Sequence, residues 1–372
     1  MKNNQKIKVL QVFGSLNRGG AECRMMDVYR HIDLKECQFD FVSLSQDEQD
    51  FEGEIRSMGG EIYKLQSPRE SGIVKHIKDL RQCIRQGDYD AVHAHTSYHC
   101  GLVMLAAWLE HVPVRIAHAR TTGSKQNGSL KKIFLCFGRS LINQFANVRL
   151  AISEDAGLFL FRTYKFQIIP NAIDMKIYQN ISDADISRLK KELSIPEKCF
   201  VIGQIGRFDS MKNHRFTVEW FTRYSSVHPE ALLVFVGDGK LRSEIEKEVH
   251  ERHLDDKVRF TGVRNDVNLL IHVFDVLFFP SLFEGLGGVV LEAQAAGIPC
   301  VESDTIPSET DLGLGITLRT SLQAPLDQWS LQVERSKAIY IPSQQEISNA
   351  FNSAGYSIES VTDRYVSLYR GG

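Results

Sequence analysis

Short, mostly apolar runs alternate with longer amphipathic segments along almost the whole chain. Lys8–Phe13, Phe200–Ile205 and Val276–Phe279 are typical runs, and each is followed directly by glycine or proline. Such runs predict strands that are buried on both faces, as in a parallel sheet covered by helices. Between them, segments such as Ile73–Arg85 place apolar residues at helical spacing. The pattern predicts an α/β protein built from doubly wound parallel sheets.

The alternation of strands and helices starts twice. The first series ends with a predicted short strand over Ile168–Asp174. The following stretch Ser182–Leu193 is polar and rich in charge, which is typical of a domain boundary. The length of 372 residues also favours two domains. We predict a first Rossmann-like domain over residues 1–178, a second over 179–350, and a C-terminal helix within 351–372.

The composition is that of an ordinary globular protein and excludes several classes. The formal net charge of −2 argues against nucleic acid as a partner. Seven cysteines are scattered without a C-x-x-C pair, which suits free thiols in a reducing cytosol. The longest apolar run, Gly101–Leu109, is too short to span a membrane. The loop Gly14–Glu22 lacks the G-x-G-x-x-G fingerprint, which argues against an NAD oxidoreductase. We therefore expect a cytoplasmic protein.

The most informative stretch follows the predicted strand Val276–Phe279. A short loop carries Gly285, Gly287 and Gly288 and leads into a run of helix formers from Val289 to Ala296. Glycines at a strand-to-helix turn allow backbone N–H groups to approach a ligand closely, and a helix N-terminus favours an anion. The stretch therefore predicts a phosphate-binding site.

Two glutamates flank this glycine loop. Glu284 and Glu292 are eight residues apart, which on a continuous helix corresponds to about 12 Å. Carboxyl pairs that hydrolyse glycosidic bonds lie about 5 to 9.5 Å apart, so the spacing argues weakly against a hydrolase pair. We interpret the glutamates as separate hydrogen-bond acceptors for a hydroxyl-rich ligand that also carries phosphate. The alternative is that both acids only cap or solvate the helix.

A second candidate for phosphate binding follows the predicted strand Phe200–Ile205. Arg207 and Lys212 lie five residues apart in a loop that begins at Gly206. Two cations on a loop at the end of a strand can clamp a diphosphate. The alternative is a pair of unrelated surface cations.

Together these motifs resemble glycosyltransferase family 4, the retaining GT-B glycosyltransferases also called glycosyl transferases group 1. Glu284 and Glu292 match the E-x7-E signature of that family, residues 206–213 match G-R-x-x-x-x-K-N, and residues 19–22 match G-G-A-E. At 169–174 the chain has I-P-N-A-I-D, with Ala172 in place of the glycine of the family's I-P-N-G-I-D. The runs N-R-G-G-A-E, V-H-A-H-T and K-N-H-x-F are similar to those of bacillus-type exopolysaccharide and capsule glycosyltransferases.

The resemblance implies a fold and a reaction. The GT-B fold has two Rossmann-like domains facing a central cleft, with a C-terminal helix that crosses back to the first domain. The reaction would move a sugar from a nucleotide-sugar donor, expected to be a UDP-sugar, to a saccharide acceptor with retention of configuration. Catalysis would rest on stabilising the charge of the departing nucleoside diphosphate. The nucleotide-sugar is a co-substrate, and no cofactor is expected.

The resemblance also assigns roles to individual residues. Glu284 would contact hydroxyls of the donor sugar and Glu292 the ribose, while Arg207 and Lys212 would bind the pyrophosphate. The expected catalytic residues are His118, Arg207, Lys212 and Glu284. The expected donor-binding residues are Gly19, Gly20, Arg207, Lys212, Val263, Arg264, Glu284, Gly285, Leu286, Gly287, Gly288 and Glu292. For His118, at the end of a predicted strand, a merely structural hydrogen-bonded histidine is the alternative.

The acceptor side is expected in the first domain. His95 and Arg120 are the candidate residues there. From His111 to Ser153 the chain contains seven lysines and arginines and no Asp or Glu. Within this span, residues 125–142 combine basic and apolar residues, which suits an anionic membrane surface. We expect a lipid-linked, undecaprenyl-type acceptor and a peripheral position at the inner face of the cell membrane; a helix that faces the core with a basic edge is the alternative.

No metal site is expected. The D-x-D triplets at 88–90 and 183–185 lie away from the phosphate clamp in sequence, and we do not interpret His93, His95 and His99 as metal ligands. We predict metal-independent activity. Two other functions remain open: a nucleotide-sugar epimerase on the same fold, and a non-catalytic saccharide-binding scaffold.

Overall fold

The chain forms two compact units in the computed structural model. The first unit runs to Ala172 and includes the C-terminal segment from Gly355, and the second is Ile173–Ala354. The sequence had suggested boundaries after residues 178 and 350. The structure describes residues 6–121, 129–163 and 165–371, with the side chains of 129–132 outside this description.

The first unit is built on a sheet of seven strands. They are β1 (Ile7–Phe13), β2 (Cys37–Ser43), β3 (Ile62–Lys64), β4 (Ala91–Ala94), β5 (Val114–Ala119), β6 (Val148–Ala151) and β7 (Gln167–Ile168). Neighbouring strands are parallel, in the order β3-β2-β1-β4-β5-β6-β7. The order in which successive strands are added therefore reverses between β1 and β4. Open α/β sheets bind their ligands at such a switch point.

The second unit repeats this architecture with six strands. They are β8 (Phe200–Ile205), β9 (Ala231–Val236), β10 (Val258–Phe260), β11 (Val276–Phe279), β12 (Cys300–Ser303) and β13 (Thr317–Thr320). All pairs are parallel, in the Rossmann order β10-β9-β8-β11-β12-β13. The switch point of this sheet lies between β8 and β11. Two doubly wound parallel sheets are thus confirmed.

Helices connect the strands in both units. They are α1 (Gly20–His31), α2 (Glu52–Ser57), α3 (Pro68–Ser71), α4 (Ile73–Gly87), α5 (Cys100–Leu109), α6 (Ser129–Phe145), α7 (Glu154–Phe161), α8 (Asp183–Glu192), α9 (His214–Val227), α10 (Arg242–Glu251), α11 (Val267–Leu270), α12 (Gly288–Ala295), α13 (Leu326–Ser336), α14 (Gln344–Ser353) and α15 (Ile358–Tyr369). Among the described residues, none of them is long and apolar enough to cross a bilayer.

The last helix returns to the first unit, as the family resemblance implied. Ile358, Tyr365 and Tyr369 of α15 are buried in the same core as β1, β2 and α1. A separate core fills the second unit and is centred on aromatic side chains such as Trp220 and Trp329. Each unit therefore has the buried apolar centre that a domain needs.

Three segments differ between the sequence prediction and the structure. The loop predicted over Gly14–Glu22 is shorter, because α1 already begins at Gly20. The strand predicted over Ile168–Asp174 ends at Ile168, because Pro170 has no N–H for a ladder and Asp174 caps a short 3₁₀ turn. Strand β13 was not predicted, since the edge sequence T-L-R-T is only partly apolar.

Candidate active site

Two loops at the switch point of the second sheet bring the strongest sequence motifs together. Residues 206–213 follow β8, residues 280–287 follow β11, and these two strands are neighbours. Hydrogen bonds join the loops: the amide of Leu282 donates to the Met211 carbonyl at 2.8 Å, and the Asn213 side-chain amide donates to the Pro280 carbonyl at 3.1 Å. The two predicted phosphate-binding loops therefore form one site.

The sequence of the 206–213 loop explains its shape. The carboxylate of Asp209 accepts hydrogen bonds from the amides of Met211 and Lys212 and so caps a 3₁₀ turn over Ser210–Lys212. Asn213 then takes a left-handed conformation, with φ of 56°, which asparagine tolerates better than most residues. A Cβ at Gly206 would lie 3.0 Å from the Lys212 side chain, so glycine leaves room for the lysine to fold back over the strand end.

Lys212 and Glu284 form a direct ion pair. The Nζ of Lys212 lies 2.6 Å from Oε1 of Glu284, and their side chains are only 18% and 13% exposed. The same ammonium group lies 4.8 Å above the ring of Phe279. Arg207, in contrast, is exposed, and its guanidinium has no hydrogen bond or ion pair among the residues that the structure describes. An exposed cation beside one held in an ion pair is suited to a ligand with two phosphates.

The glycine loop ends at the N-terminus of α12. Gly287 has φ of +83°, and a Cβ there would lie 3.2 Å from the Ile306 side chain, so both conformation and space require glycine. Gly288 begins α12 with open space around it, and no side chain caps the helix. Leu286 is buried beneath the loop. The first amides of α12 are therefore suited to an anion.

The two glutamates lie on different kinds of structure. Glu284 lies in the loop, and Glu292 lies about one turn into α12, where it is half-buried. The 12 Å rise of a continuous helix therefore does not apply to this pair, because α12 begins only at Gly288. Their interpretation as two separate acceptors does not depend on that spacing.

The loops after β9 and β10 lie at the same edge of this sheet, because all its strands are parallel. The amide of Gly237 donates to the Gly262 carbonyl at 2.9 Å, and a Cβ on Gly237 would lie 2.1 Å from the Gly206 carbonyl oxygen. Val263 is exposed. The guanidinium of Arg264 is held by Asp266 and Glu192, which raise its pKa. Of the expected donor-binding residues Val263 and Arg264, Arg264 thus has its side chain engaged within the protein. Gly237 was not singled out from the sequence.

In the first unit, three histidines meet at the ends of β4 and β5. Nε2 of His93 lies 3.0 Å from Nδ1 of His118, and Nε2 of His95 lies 2.9 Å from Oε1 of Gln11. All three rings are buried, and burial lowers each pKa well below the usual value, so they are neutral near pH 7. Nε2 of His118 is buried without a partner among the described residues. His118 is therefore the histidine with a free ring nitrogen.

The acceptor-side candidates His95 and Arg120 contact each other. Nε of Arg120 donates to Nδ1 of His95 at 3.2 Å, and its Nη1 donates to the Asn171 side chain at 2.8 Å. The His95 ring also stacks on Phe13, with centroids 4.2 Å apart. Both nitrogens of His95 are thus engaged within the protein. Asn171 and Phe13 were not singled out from the sequence, since their partners are distant along the chain.

The opening glycines lie at the start of α1. Gly19 is the N-cap residue, and a Cβ there would lie 2.3 Å from the Glu22 carboxylate, whereas Gly20 has open space. The backbone of Gly20 is the more accessible of the two to a ligand.

One histidine group has the spacing of a metal site. The ligand atoms of His93, His95 and His118 lie within 4.8 Å of one another. The sequence had instead grouped His93 and His95 with His99, but His99 contacts His76, with their Nε2 atoms 2.7 Å apart. In the triad, the nitrogens of His93 and His95 hydrogen-bond to other side chains, and the Arg120 cation adjoins them, so the arrangement is that of a hydrogen-bonded cluster. Metal independence stays a prediction.

Family models match both halves of the chain. Residues 18–176 match "Glycosyltransferase Family 4", and residues 185–312 match "Glycosyl transferases group 1". The chain is also 34% identical to "Putative glycosyltransferase EpsF" of Bacillus subtilis (strain 168), over 99% of this chain and 97% of that protein. The chain belongs to glycosyltransferase family 4. The chain is therefore a glycosyltransferase, rather than an epimerase or a non-catalytic scaffold.

Two further relatives and a solved structure are similar to this glycosyltransferase. It is 27% identical to "Capsular polysaccharide biosynthesis glycosyltransferase CapH" of Staphylococcus aureus, over 77% of this chain and 79% of that protein. It is 28% identical to "UDP-Gal:alpha-D-GlcNAc-diphosphoundecaprenol alpha-1,3-galactosyltransferase" of Escherichia coli, over 63% of this chain and 64% of that protein. Among solved structures, Anabaena HepE in complex with UDP and glucose superposes with a TM-score of 0.80 at 18% identity, over 98% and 100% of the two chains. The fold is thus GT-B.

Proposed function

We propose that this glycosyltransferase moves a sugar from a UDP-sugar to a lipid-linked saccharide, with retention of configuration, in exopolysaccharide or capsule synthesis. The observation that carries the proposal is the Lys212–Glu284 ion pair, held where two loops meet at the switch point of the second sheet. It lies beside an exposed arginine in the same loop and the uncapped N-terminus of α12. Cations, helix amides and a carboxylate suit a ligand that carries both a diphosphate and sugar hydroxyls.

In the proposed reaction the bond between the anomeric carbon and the diphosphate oxygen breaks, and its electrons leave with the diphosphate. Arg207, Lys212 and the first amides of α12 stabilise that charge, as preorganised donors in catalysis do. The acceptor hydroxyl attacks the same face of the sugar, and its proton goes to the departing diphosphate. Glu284 accepts from a sugar hydroxyl, Glu292 holds the ribose, and His118 contacts the donor sugar. No metal or cofactor takes part.

The name of the Escherichia coli relative supports the choice of a UDP-sugar and of an undecaprenyl-linked acceptor. An apolar cavity of about 430 Å³ in the first unit supports a lipid-linked acceptor as well. Its walls come from α3, α4, α5 and α6, and include Ile73, Leu102, Phe134 and Phe137. Phe134 and Phe137 are also exposed. We propose that this surface contacts an anionic membrane, which places the enzyme at the inner face of the cell membrane. The basic residues of 125–132, which were also expected to contribute, lie outside the described residues or side chains.

Donor binding is tested by thermal unfolding with UDP, GDP, ADP and NAD. A ligand at 100 times its Kd adds about 2.7 kcal/mol to the free energy of unfolding, which raises the melting temperature measurably. We expect a shift with UDP in the wild type that is lost in Lys212→Ala. In turnover, Lys212→Ala should lower kcat by about 10²- to 10³-fold, as for the loss of one preorganised donor. Turnover of the variant at the wild-type rate would contradict the proposal. Loss of wild-type activity in EDTA would contradict the proposal that no metal takes part.

Membrane contact is tested by sedimentation with vesicles of phosphatidylglycerol or phosphatidylcholine. The double variant Phe134→Ser/Phe137→Ser should bind the anionic vesicles less than the wild type does, and charge reversal at Lys131 and Lys132 should act in the same direction. Val227→Ser removes an exposed apolar side chain of the second unit and is the matched control. Equal binding by the wild type and the double variant would contradict the proposed surface.

A further inference from the structure

A chain of hydrogen bonds runs from the centre of the first sheet to the last turn of α15. Nε2 of Gln11 lies 3.0 Å from the hydroxyl oxygen of Tyr369, and this oxygen lies 2.9 Å from Nδ1 of His93. Nε2 of His93 lies 3.0 Å from Nδ1 of His118. All four side chains are buried, so each proton in the chain must be placed between these atoms rather than shared with water.

Arg120, at the far end of this series of hydrogen bonds, sets the direction in which each bond is donated. A guanidinium can only donate, so Nδ1 of His95 accepts from Nε of Arg120. His95 is neutral, because burial lowers its pKa, and its single ring proton is therefore on Nε2. That N–H donates to Oε1 of Gln11. The Gln11 amide is thereby fixed in one orientation, with its NH₂ group towards Tyr369.

The remaining protons follow in order. The oxygen of Tyr369 accepts from the Gln11 amide, so its own O–H is available for Nδ1 of His93. His93 then carries its proton on Nε2 and donates to Nδ1 of His118. The reverse arrangement, with Nδ1–H of His93 donating to Tyr369, would leave the buried tyrosine O–H without an acceptor among the described residues. Among Gln11, Tyr369, His93 and His118, the forward arrangement leaves one free group, Nε2–H of His118.

We propose that Tyr369 is a positioning residue that acts through His93 to hold His118 as the Nε2–H tautomer. In this tautomer His118 presents a neutral hydrogen-bond donor, and the group it recognises is an oxygen of the donor sugar. This role of the Nε2–H group in sugar binding rests on the proposed function, whereas the tautomer itself does not. The C-terminal helix thus contributes to the chemistry of the first unit as well as to its core.

The tautomer is tested by NMR on the full chain labelled with ¹⁵N in the histidine rings. Protonated and bare ring nitrogens have well separated ¹⁵N shifts, and the His118 signals are identified by their loss in His118→Gln. We expect Nε2 of His118 to be protonated in the wild type. In Tyr369→Phe, His93 loses its donor, and His118 should become a mixture of both tautomers. Tyr29→Phe removes another buried hydroxyl from the same core and should leave the His118 signals unchanged.

A proton on Nδ1 of His118 in the wild type would overturn the proposal. So would an unchanged His118 tautomer in a Tyr369→Phe variant that melts as a folded protein. Both results are independent of glycosyl transfer, so they do not depend on the proposed function.

Kinetics test the second half of the proposal. Tyr369→Phe should lower kcat with little change in the KM of the UDP-sugar, and by less than the ~10²-fold loss expected when a preorganised donor is removed outright. Tyr29→Phe should leave both constants unchanged. A changed tautomer with an unchanged kcat would overturn the donor role of His118. Failure of the wild type to turn over any nucleotide-sugar would instead refute the proposed function. The NMR result would still decide whether Tyr369 sets the tautomer of His118.

Discussion

At the scale of single residues, Lys212 shows how one side chain can be held ready for an anion. Its ammonium group contacts the Glu284 carboxylate and the face of Phe279, and its backbone carbonyl accepts from Gln204 at 2.7 Å. A lysine fixed in this way loses little further side-chain entropy when a phosphate arrives. Phosphate binding would, however, compete with Glu284 for the ammonium. We infer that the pair opens when the donor binds, which frees Glu284 for a sugar hydroxyl.

Glu302 is a second residue with an unusual environment. It is fully buried at the end of β12, and burial raises its pKa to about 7. Nε of Arg319 lies 2.9 Å from Oε1 of Glu302, which opposes this shift without cancelling it. Neither carboxylate oxygen has a well-formed hydrogen bond among the described residues. The folded protein therefore binds this proton more tightly than the unfolded chain does.

The consequence is that the contribution of Glu302 to stability falls as pH rises. The protonated glutamate contributes fully below its unfolded pKa of about 4.3, and its contribution is lost as pH rises towards 7, by roughly 3–4 kcal/mol in total. Glu302→Gln cannot ionise, so its free energy of unfolding should decline less than that of the wild type between about pH 5 and pH 8. Urea unfolding at several pH values measures this. Glu219→Gln, at an exposed position of α9, should keep the wild-type slope; the same slope in Glu302→Gln would refute the assignment.

At the scale of elements, the site depends on where helix α12 begins. Gly287→Ala adds a Cβ at a positive φ and close to Ile306, so it should destabilise the protein by about 1–3 kcal/mol and weaken UDP binding. The neighbouring Gly288→Ala is the matched control for stability, because its Cβ meets nothing within 4 Å and alanine favours a helix. Thermal unfolding with and without UDP measures both effects. A Gly287→Ala variant as stable as Gly288→Ala would show that the turn tolerates a side chain.

The elements differ in how well the sequence predicted them. Strands β8 and β11 were predicted with their observed bounds, because continuous apolar runs ended by glycine or proline have few alternatives. The edge strands β7 and β13 were predicted wrongly or not at all, because a short strand at a sheet edge depends on its neighbour more than on its own residues. Local pattern is therefore sufficient for the centre of each sheet and insufficient for its margins.

The same limit applies to the site. The cations, glycines and glutamates of the second unit belong to contiguous motifs, so their positions could be predicted from the sequence. The contact between His93 and Tyr369 joins residues 276 positions apart, and no local pattern relates them. The sequence predicted a C-terminal helix within 351–372, but that prediction did not distinguish an ordinary core tyrosine from one whose hydroxyl contacts a buried histidine. Long-range polar contacts of this kind appear only in the folded structure.

At the scale of the whole molecule, the two units use the same architecture for different chemistry. The second unit presents cations, glycine turns and an uncapped helix at its switch point. The first unit places neutral histidines at the corresponding strand ends, in a cluster that hydrogen-bonds internally. Both cations that are proposed to bind the diphosphate, Arg207 and Lys212, thus lie in the second unit, although the formal net charge of the chain is only −2. We therefore expect a nucleoside diphosphate without sugar to be bound mainly by the second unit.

Hydrogen exchange of the full chain tests this division. Exposed loop amides exchange quickly unless a ligand orders them, whereas the strands of both cores are already protected. Adding UDP should slow exchange over residues 206–213 and 285–290, because these amides border the proposed diphosphate site, and should leave β4 and β5 unchanged. Lys212→Ala should remove the protection at the same UDP concentration. Protection confined to the first unit would move the nucleotide away from Lys212 and Glu284, and would require a different role for their ion pair.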